Sequence, residues 1–263
     1  REEVIIGKKE MHIEMENTQK KIESNIEKLK DNFCVDLIII IDITNTMSEY
    51  FDQIKNKIII IKDTIKDNCF GVKLRIGFLG YKDYVDYDLD PESYVNVPLT
   101  EDFNCWKNER EKVTIGGGGD VPEDLAWGLQ KAQAQLCREI DGSSKADTKY
   151  VILITDAPCH GGKYHDLGKY VRGKNEDGDN YIEGDRKKID VDQIIKSMAK
   201  NNINFYCVKI SDITDKMFKI FQEIYRNNTQ NSSNFVIVKN ENPEHLPKLI
   251  TESINKVFNN RRI

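Results

Sequence analysis

The stretch that most constrains the fold is an unbroken apolar run at residues 37–41, which ends abruptly at Asp42. Apolar runs of this length without polar alternation are typical of a strand covered on both faces, as in the parallel centre of an α/β sheet. Such sheets bind their ligands beyond the carboxyl ends of the strands. The run therefore predicts a central parallel strand, with Asp42 at the edge where a binding site forms.

Asp42 begins a pattern of oxygen-bearing side chains at every second position, which continues with Thr44 and Thr46. In extended or tightly turned backbone, a period of two directs such side chains to the same side. One carboxylate and two hydroxyls are ligands that a hard cation such as Mg²⁺ prefers. The pattern predicts a metal site, and the alternative interpretation is that Asp42 and Thr44 only cap the helix that follows.

Strand patterns alternate with helical patterns through the rest of the chain. Strands are predicted at 72–81, 150–155, 203–210 and 235–238, with a short edge strand at 113–115 after a long polar connection at 82–110. Helices are predicted at 48–67, 121–139, 189–199, 214–226 and 243–259. This alternation is typical of an α/β fold with a doubly wound, mostly parallel sheet flanked by helices.

Residues 1–32 differ from the remainder, because they carry a narrow apolar stripe at helical spacing among many charged residues. They are predicted to form an N-terminal amphipathic helix, and 33–263 the α/β domain. The clear pattern lasts only about four turns, which is short for a coiled coil. We expect the helix to pack on its own domain, and a coiled-coil arm is the alternative.

The composition excludes some classes of partner. The net charge is −5 without a basic patch, so we expect no nucleic-acid partner. No apolar run approaches the roughly 20 residues that span a bilayer, and no secretory signal is expected. The six cysteines are scattered and form no C-x-x-C pair, so we expect reduced thiols in a cytoplasmic protein.

Two further aspartates are predicted at the same edge of the sheet. Asp120 follows four glycines at 116–119, and Asp156 directly follows the strand at 150–155. Asp120 and Glu123 also have the spacing of a capping box for the helix that follows. Because Asp42, Asp120 and Asp156 all follow strands or precede helices, we expect the three carboxylates to converge.

The segment after Asp156 contains Cys159, His160 and His165. The spacing C-H-x₄-H is not a standard structural zinc pattern. We therefore expect a loop with two surface histidines.

These motifs resemble the von Willebrand factor A (VWA) domain over about residues 34–258. That family has a metal-ion-dependent adhesion site with D-x-S/T-G-S after the first strand, Thr or Asp in a second loop, and Asp after the fourth strand. The resemblance implies a Rossmann-like VWA fold, with Mg²⁺, or Mn²⁺ or Ca²⁺, as the cofactor. The implied metal ligands are Asp42, Thr44, Thr46, Asp120 and Asp156. Asn45 stands where the family usually has Gly, and Asn tolerates the left-handed backbone that Gly supplies.

The motif G-G-G-D-x-P-E, with the segments 157–165 and 202–206, is similar to the VWA module of protist alpha-kinases. The resemblance implies a metal-dependent module that binds protein partners, without catalytic activity of its own. One alternative is the interaction region of an alpha-kinase-type serine/threonine kinase whose catalytic domain is not in this chain. Another is a structural assembly component with a vestigial metal site, which could self-associate through the N-terminal helix.

Two enzyme classes are disfavoured by the residues themselves. A haloacid dehalogenase-type phosphotransferase needs a second Asp two residues after the first, where this chain has Thr44. The glycine run lacks the G-x-x-x-x-G-K-S/T phosphate loop. A charge argument limits the partner as well, since three aspartates around an ion of charge +2 leave a formal charge of −1. We expect such a site to attract an acidic partner only weakly.

Overall fold

The computed structural model describes residues 14–24, 33–68, 72–137, 146–230 and 234–239. Within these residues the strands are β1 Cys34–Asp42, β2 Lys73–Tyr81, β3 Val95–Thr100, β4 Thr148–Thr155, β5 Asn204–Lys209 and β6 Phe235–Lys239. They form one six-stranded sheet of order β3-β2-β1-β4-β5-β6. All neighbouring strands are parallel except β2 and β3. The predicted fold class, an α/β fold with a mostly parallel sheet, is confirmed.

The helices that the structure describes lie between the strands, except the first. They are α1 (14–24), α2 Ser48–Asn68, α3 Tyr84–Leu89, α4 Phe103–Glu111, α5 Leu125–Leu136, α6 Val191–Lys200 and α7 Asp215–Arg226. None of these helices is long and apolar enough to cross a membrane. The helix predicted at 243–259 lies outside the described residues.

The apolar run of β1 is buried because the two faces of the sheet carry separate cores. Ile38 and Ile40 belong to the cluster beneath α5, α6 and α7. Leu37, Ile39 and Ile41 face the opposite cluster, to which α2 contributes Ile58, Ile61 and Ile65. Since each buried aliphatic side chain contributes roughly 1.5–3 kcal/mol, both faces must be apolar for this strand to hold the centre of the sheet. Polar and apolar residues do not alternate along this strand because both of its faces are buried.

Helix α1 does not pack on the domain within the residues described. All its residues at 14–24 are exposed, including Met15 at 64% and Ile22 at 51% of their accessible surface. The expectation of a docked helix is therefore wrong for this segment. Residues 1–13 and 25–32 lie outside the described residues.

The connection at 82–110 contains more structure than its polar sequence predicts, namely α3, β3 and α4. The antiparallel edge strand is β3, and the edge strand predicted at 113–115 is wrong. β3 contains Pro98, which an edge strand tolerates because one side of its backbone has no partner strand. Val113 and Ile115 instead pack, partly buried, against the core on the α2 face.

Helix α5 begins at Leu125, four residues later than predicted. Asp124 is its N-cap, because its Oδ1 accepts a hydrogen bond from the Trp127 amide at 3.1 Å. The capping box predicted from Asp120 and Glu123 is therefore wrong. Gly128 lets α5 lie close to β1, since a Cβ at this position would meet Ile40 Cγ2 at 2.8 Å.

Four cysteines have side chains that the structure describes. Cys34, Cys137, Cys159 and Cys207 are all free thiols.

Candidate metal centre

The turn after β1 brings its three oxygen-bearing side chains together. Asp42 is fully buried, and its Oδ1 accepts hydrogen bonds from the Thr44 amide at 2.8 Å and from Thr44 Oγ1 at 2.6 Å. The hydroxyl oxygens of Thr44 and Thr46 are 3.4 Å apart. Thr44 precedes a short 3₁₀ helix at Asn45–Met47 but makes no side-chain cap bond to it. The helix-cap alternative is therefore wrong for Thr44.

Asp156 follows β4, the parallel neighbour of β1, and lies beside Asp42. Burial, and after it the charge of Asp156, raises the pKa of Asp42 from 3.8 to about 7. Oδ1 of Asp156 is buried and has no hydrogen-bond partner among the residues that the structure describes. Oδ2 of Asp42 lies 3.4 Å from the Thr155 hydroxyl, which donates its proton to the Ala157 carbonyl at 2.8 Å. A buried carboxylate oxygen without a partner is costly, so this pair favours a bound cation.

The glycine segment packs directly on the turn after β1. The Asn45 amide donates to the Gly117 carbonyl at 3.4 Å, and the Gly116 amide donates to the Ile43 carbonyl at 3.1 Å. Gly117 and Gly118 have φ values of +87° and +99°, a region that favours glycine. The segment can follow the turn closely because these residues have no side chains.

Glu123 is the acidic residue that the sequence interpretation missed at this centre. A Cβ on Gly118 would lie 3.2 Å from Glu123 Oε1 and 3.7 Å from Thr44 Cβ, so both side chains adjoin the glycine. Glu123 is 4% exposed, and within the described part of the chain its Oε2 has no hydrogen-bond partner. Burial, followed by the charges of Asp42 and Asp83, raises the pKa of Glu123 well above its usual value. Its backbone amide donates to the Pro158 carbonyl at 3.0 Å, which holds it beside the turn after β4.

The structure places Asp120 in a second cluster, with Asp83 and His160. One potential ligand atom from each of these three buried residues lies within 4.8 Å of the others. Burial raises the pKa of Asp120 to about 6, although the Asn180 amide donates to its Oδ2 at 2.5 Å and opposes the shift. The assignment of Asp120 to the same ion as Asp42 stays a prediction.

His160 and His165 are buried, so the prediction of two surface histidines is wrong. They are 3% and 2% exposed, and both bond to Asp179. Nδ1 of His160 is 2.8 Å from Asp179 Oδ1, and Nε2 of His165 is 2.9 Å from Asp179 Oδ2. Nε2 of His160 is 3.1 Å from Oδ1 of Asp83. Burial lowers the pKa of His160, but the hydrogen bonds that its ring makes to the carboxylates of Asp179 and Asp83 outweigh this effect and raise the pKa to about 9.

Asp179 organises the long segment between β4 and α6. It also accepts hydrogen bonds from the backbone amides of Gly161 and Tyr181, each at 2.7 Å. Burial acts to raise its pKa, but the bonds from His160, His165 and Gly161 hold the pKa of Asp179 well below its usual value. The histidines are therefore inside because one buried carboxylate needs their N–H groups.

The residues at the first centre fit a hard divalent cation. Asp42, Thr44, Thr46, Asp156 and Glu123 offer carboxylate and hydroxyl oxygens only. Two of these side chains carry a buried oxygen that lacks a hydrogen-bond partner within the described residues, namely Asp156 Oδ1 and Glu123 Oε2. Oxygen ligands with vacant lone pairs are the set that Mg²⁺, Mn²⁺ and Ca²⁺ bind.

Comparison with known proteins gives one informative relative in sequence. No family model matches the chain. The alpha-protein kinase vwkA of Dictyostelium discoideum is 30% identical over 221 residues, which cover 80% of this chain and 32% of that kinase. The chain thus spans about a third of the length of this curated relative. The match confirms the resemblance to the module of protist alpha-kinases that the sequence motifs indicated.

Among solved structures of low sequence identity, a pilus adhesin shares the fold. The pilus adhesin SpaC from Lactobacillus rhamnosus GG, in its open conformation, has a TM-score of 0.55 at 14% identity, over 87% of this chain and 30% of that one. The VWA domain of SpRpn10 is also similar, with a TM-score of 0.48 at 14% identity over 78% of this chain and 86% of that one.

Proposed function

We propose that this chain is a protein-interaction module whose binding edge is organised by a divalent cation, Mg²⁺ in the first place. The observation that carries the proposal is the juxtaposition of Asp42 and Asp156. Asp42 is fully buried, and the strongest charge acting on it is that of another carboxylate. Two ionised carboxylates in such a place destabilise the folded protein unless a cation between them offsets their repulsion.

Asp42, Thr44, Thr46 and Asp156 would hold the ion, and Glu123 would bind it directly or through water. When bound, the ion supplies a positive charge and a coordination position that an oxygen from a partner can fill. Asp120 remains a predicted ligand of the same ion, direct or through water. With or without Asp120, the ligand residues and the ion would fix three loops relative to one another, namely the turn after β1, the glycine segment and the turn after β4.

The charge of the site argues for a partner that is not held mainly by an acidic side chain. Asp42 and Asp156 alone balance an ion of charge +2, and an ionised Glu123 would leave a formal charge of −1. We propose that the ion mainly orders the loops, whose surfaces then bind the partner. This differs from a site in which the ion itself attracts a carboxylate.

The test is thermal unfolding of the metal-free chain with added Mg²⁺, Mn²⁺ or EDTA. A ligand that binds only the folded state at about 100 times its Kd stabilises by about 2.7 kcal/mol. For a domain of this size we expect the unfolding midpoint to rise by roughly 5–10 °C. Asp42→Ala should abolish the rise, and no rise with the natural sequence at millimolar metal would contradict the proposal.

Thr46 provides a matched pair of variants, because its side chain is exposed and can be changed without disturbing the core. Thr46→Ser keeps the hydroxyl and should keep the metal-dependent rise. Thr46→Val has nearly the same shape without the hydroxyl and should reduce the rise. Equal behaviour of the two variants would remove Thr46 from the ligand set.

The weak attraction for acidic groups can be tested with a capped Gly-Glu-Gly peptide and its Gln counterpart. Each peptide is titrated into the protein in Mg²⁺, and binding is followed by NMR. Neither peptide should show saturable binding at millimolar concentration. Mg²⁺-dependent binding of the Glu peptide that the Gln peptide lacks would show instead that the ion itself captures a carboxylate.

The similarity to vwkA supports one alternative, that this chain is the interaction region of an alpha-kinase-type kinase. A second candidate is an assembly component, and the exposed Met15 and Ile22 on α1 favour it. Sedimentation equilibrium in EDTA separates this candidate from the main proposal. Self-association through α1 should persist without metal, whereas a cation-organised interaction should not.

A further inference from the structure

The second acidic cluster consists of Asp83, Asp120 and His160 and draws on three separate segments. Asp83 follows β2, Asp120 ends the glycine segment, and His160 follows β4. All three are buried, at 3%, 8% and 3% exposed. Their potential ligand atoms lie within 4.8 Å of one another, although no two of the three are neighbours in sequence. The cluster differs from the first centre in containing an imidazole nitrogen.

His160 has the orientation that metal-binding histidines commonly have. Its Nδ1 faces Asp179 Oδ1 at 2.8 Å, so Nδ1 can donate its proton there and leave Nε2 as an acceptor. Metal-binding histidines are commonly fixed by a carboxylate in this way. The ring also stacks on Tyr84, with centroids 4.8 Å apart and an interplanar angle of 14°. Asp179 is itself held by the Gly161 and Tyr181 amides, the first a buried and the second a partly buried hydrogen bond, and these bonds help to set the ring orientation.

Asp120 provides an independent observation that points to a ligand at this cluster. Its Oδ2 accepts from the Asn180 amide, but its Oδ1 is buried and has no hydrogen-bond partner in the described part of the chain. His160 Nε2 and Asp83 Oδ1 are 3.1 Å apart. Two ligands at about 2.0–2.2 Å from a tetrahedral zinc ion are separated by a similar distance.

We infer that Asp83, Asp120 and His160 Nε2 form a second metal site that binds a borderline divalent ion, Zn²⁺ in the first place. Three protein ligands of mixed oxygen and nitrogen type leave a position for water or for a group from a partner. The Zn²⁺ ion would join the end of β2, the glycine segment and the segment after β4. This inference does not rest on the proposed function, and it assigns Asp120 to the second site in place of its predicted role at the Mg²⁺ centre.

A proton is the competing occupant of the same space. A doubly protonated His160 could bridge Asp83 and Asp179 without any metal, since each of its ring nitrogens faces a carboxylate. That arrangement still leaves Asp120 Oδ1 without a partner within the described residues. A metal ion would satisfy both Nε2 and this oxygen.

The experiment is a titration of the metal-free chain with Zn²⁺, in competition with a chromophoric chelator. We expect one tightly bound Zn²⁺ per chain, and the affinity should fall at least about a hundredfold in Asp120→Asn, which loses a charged ligand. Asp42→Asn is the matched control, because it removes a carboxylate of the first centre and should leave Zn²⁺ binding unchanged. A chain loaded with Co²⁺ should show visible d–d absorption that Asp120→Asn lacks.

The fold of Asp120→Asn is checked by its unfolding midpoint in EDTA. Should that variant fail to fold, Asp83→Asn serves instead, because Asn is also a good helix N-cap and can still accept from the Tyr84 amide. No Zn²⁺ binding by the natural sequence would overturn the inference. Binding lost in Asp42→Asn but kept in Asp120→Asn would place the ion at the first centre. Weak binding that neither variant changes would mean an adventitious ion only.

Discussion

Replacing Asp42 by Asn should stabilise the metal-free protein, which is unusual for a change at a fully buried polar residue. The ordinary pKa of 3.8 rises to about 7 in the folded state. A carboxyl whose pKa is raised by folding contributes most stability when it is protonated, and that contribution is lost as the pH rises from about 4 through 7. The lost free energy of unfolding is about 4 kcal/mol above pH 7, because each pKa unit corresponds to about 1.4 kcal/mol.

The variant Asp42→Asn removes this penalty but keeps the shape of the side chain. Its Oδ1 can still accept from the Thr44 amide and hydroxyl, and its new amide can donate to Asp156. In EDTA, we expect a gain in the free energy of unfolding of about 4 kcal/mol at pH 8 that falls to about 2 kcal/mol at pH 5. Added Mg²⁺ should stabilise the natural sequence and leave the variant unchanged.

The measurement is chemical unfolding in EDTA at both pH values, followed by circular dichroism. Asp36→Asn is the control, because Asp36 is equally buried on the same strand but accepts two hydrogen bonds from Arg75, at 2.7 and 2.8 Å. This control should lose stability. A variant at Asp42 that is less stable than the natural sequence at pH 8, or a gain that does not change with pH, would refute the reasoning.

Two further predictions concern the contacts of β1, one an ion pair and the other the packing of α5. Arg75→Met leaves the buried Asp36 carboxylate without its cation and should lower the free energy of unfolding by about 3–5 kcal/mol, measured in urea; a loss under 1 kcal/mol would contradict this. Gly128→Ala places a methyl group 2.8 Å from Ile40 Cγ2 and should lower the free energy of unfolding by about 1–3 kcal/mol in the same assay, although Ala favours helices more than Gly. A stabilised variant would show that α5 can move away from the sheet.

The parts of the site that the sequence predicts well are those set by local pattern. The run at 37–41 identifies the central strand because a strand buried on both faces needs apolar side chains at every position. The convergence of Asp42, Thr44 and Thr46 follows from a period of two within five residues. Both depend only on residues that are neighbours in the chain.

The parts that the sequence does not predict depend on contacts between distant segments. His160 is buried because Asp179, 19 residues later, returns to accept its N–H. Glu123 lies at the first centre because its amide pairs with the Pro158 carbonyl, so α5 begins only after it. The spacing between Asp120 and Glu123 also matches a capping box. Local pattern alone does not tell whether Glu123 caps a helix or lies at the metal centre.

The position of β1 at the centre of the sheet has a consequence for how the chain folds. Cys34 pairs with Lys73 of β2, 39 residues later, whereas Val35 pairs with Thr148 of β4, 113 residues later. Closing the longer loop costs only about 1 kcal/mol more than closing the shorter one. The pairing of β1 with β4 is therefore delayed mainly because β4 is synthesised later than β2. At the usual rate of translation, β4 emerges roughly 4–15 s after β2. During that interval one edge of the most apolar strand has no partner, and such edges recruit other chains. We therefore expect nascent copies of this protein to be prone to aggregation until β4 is made.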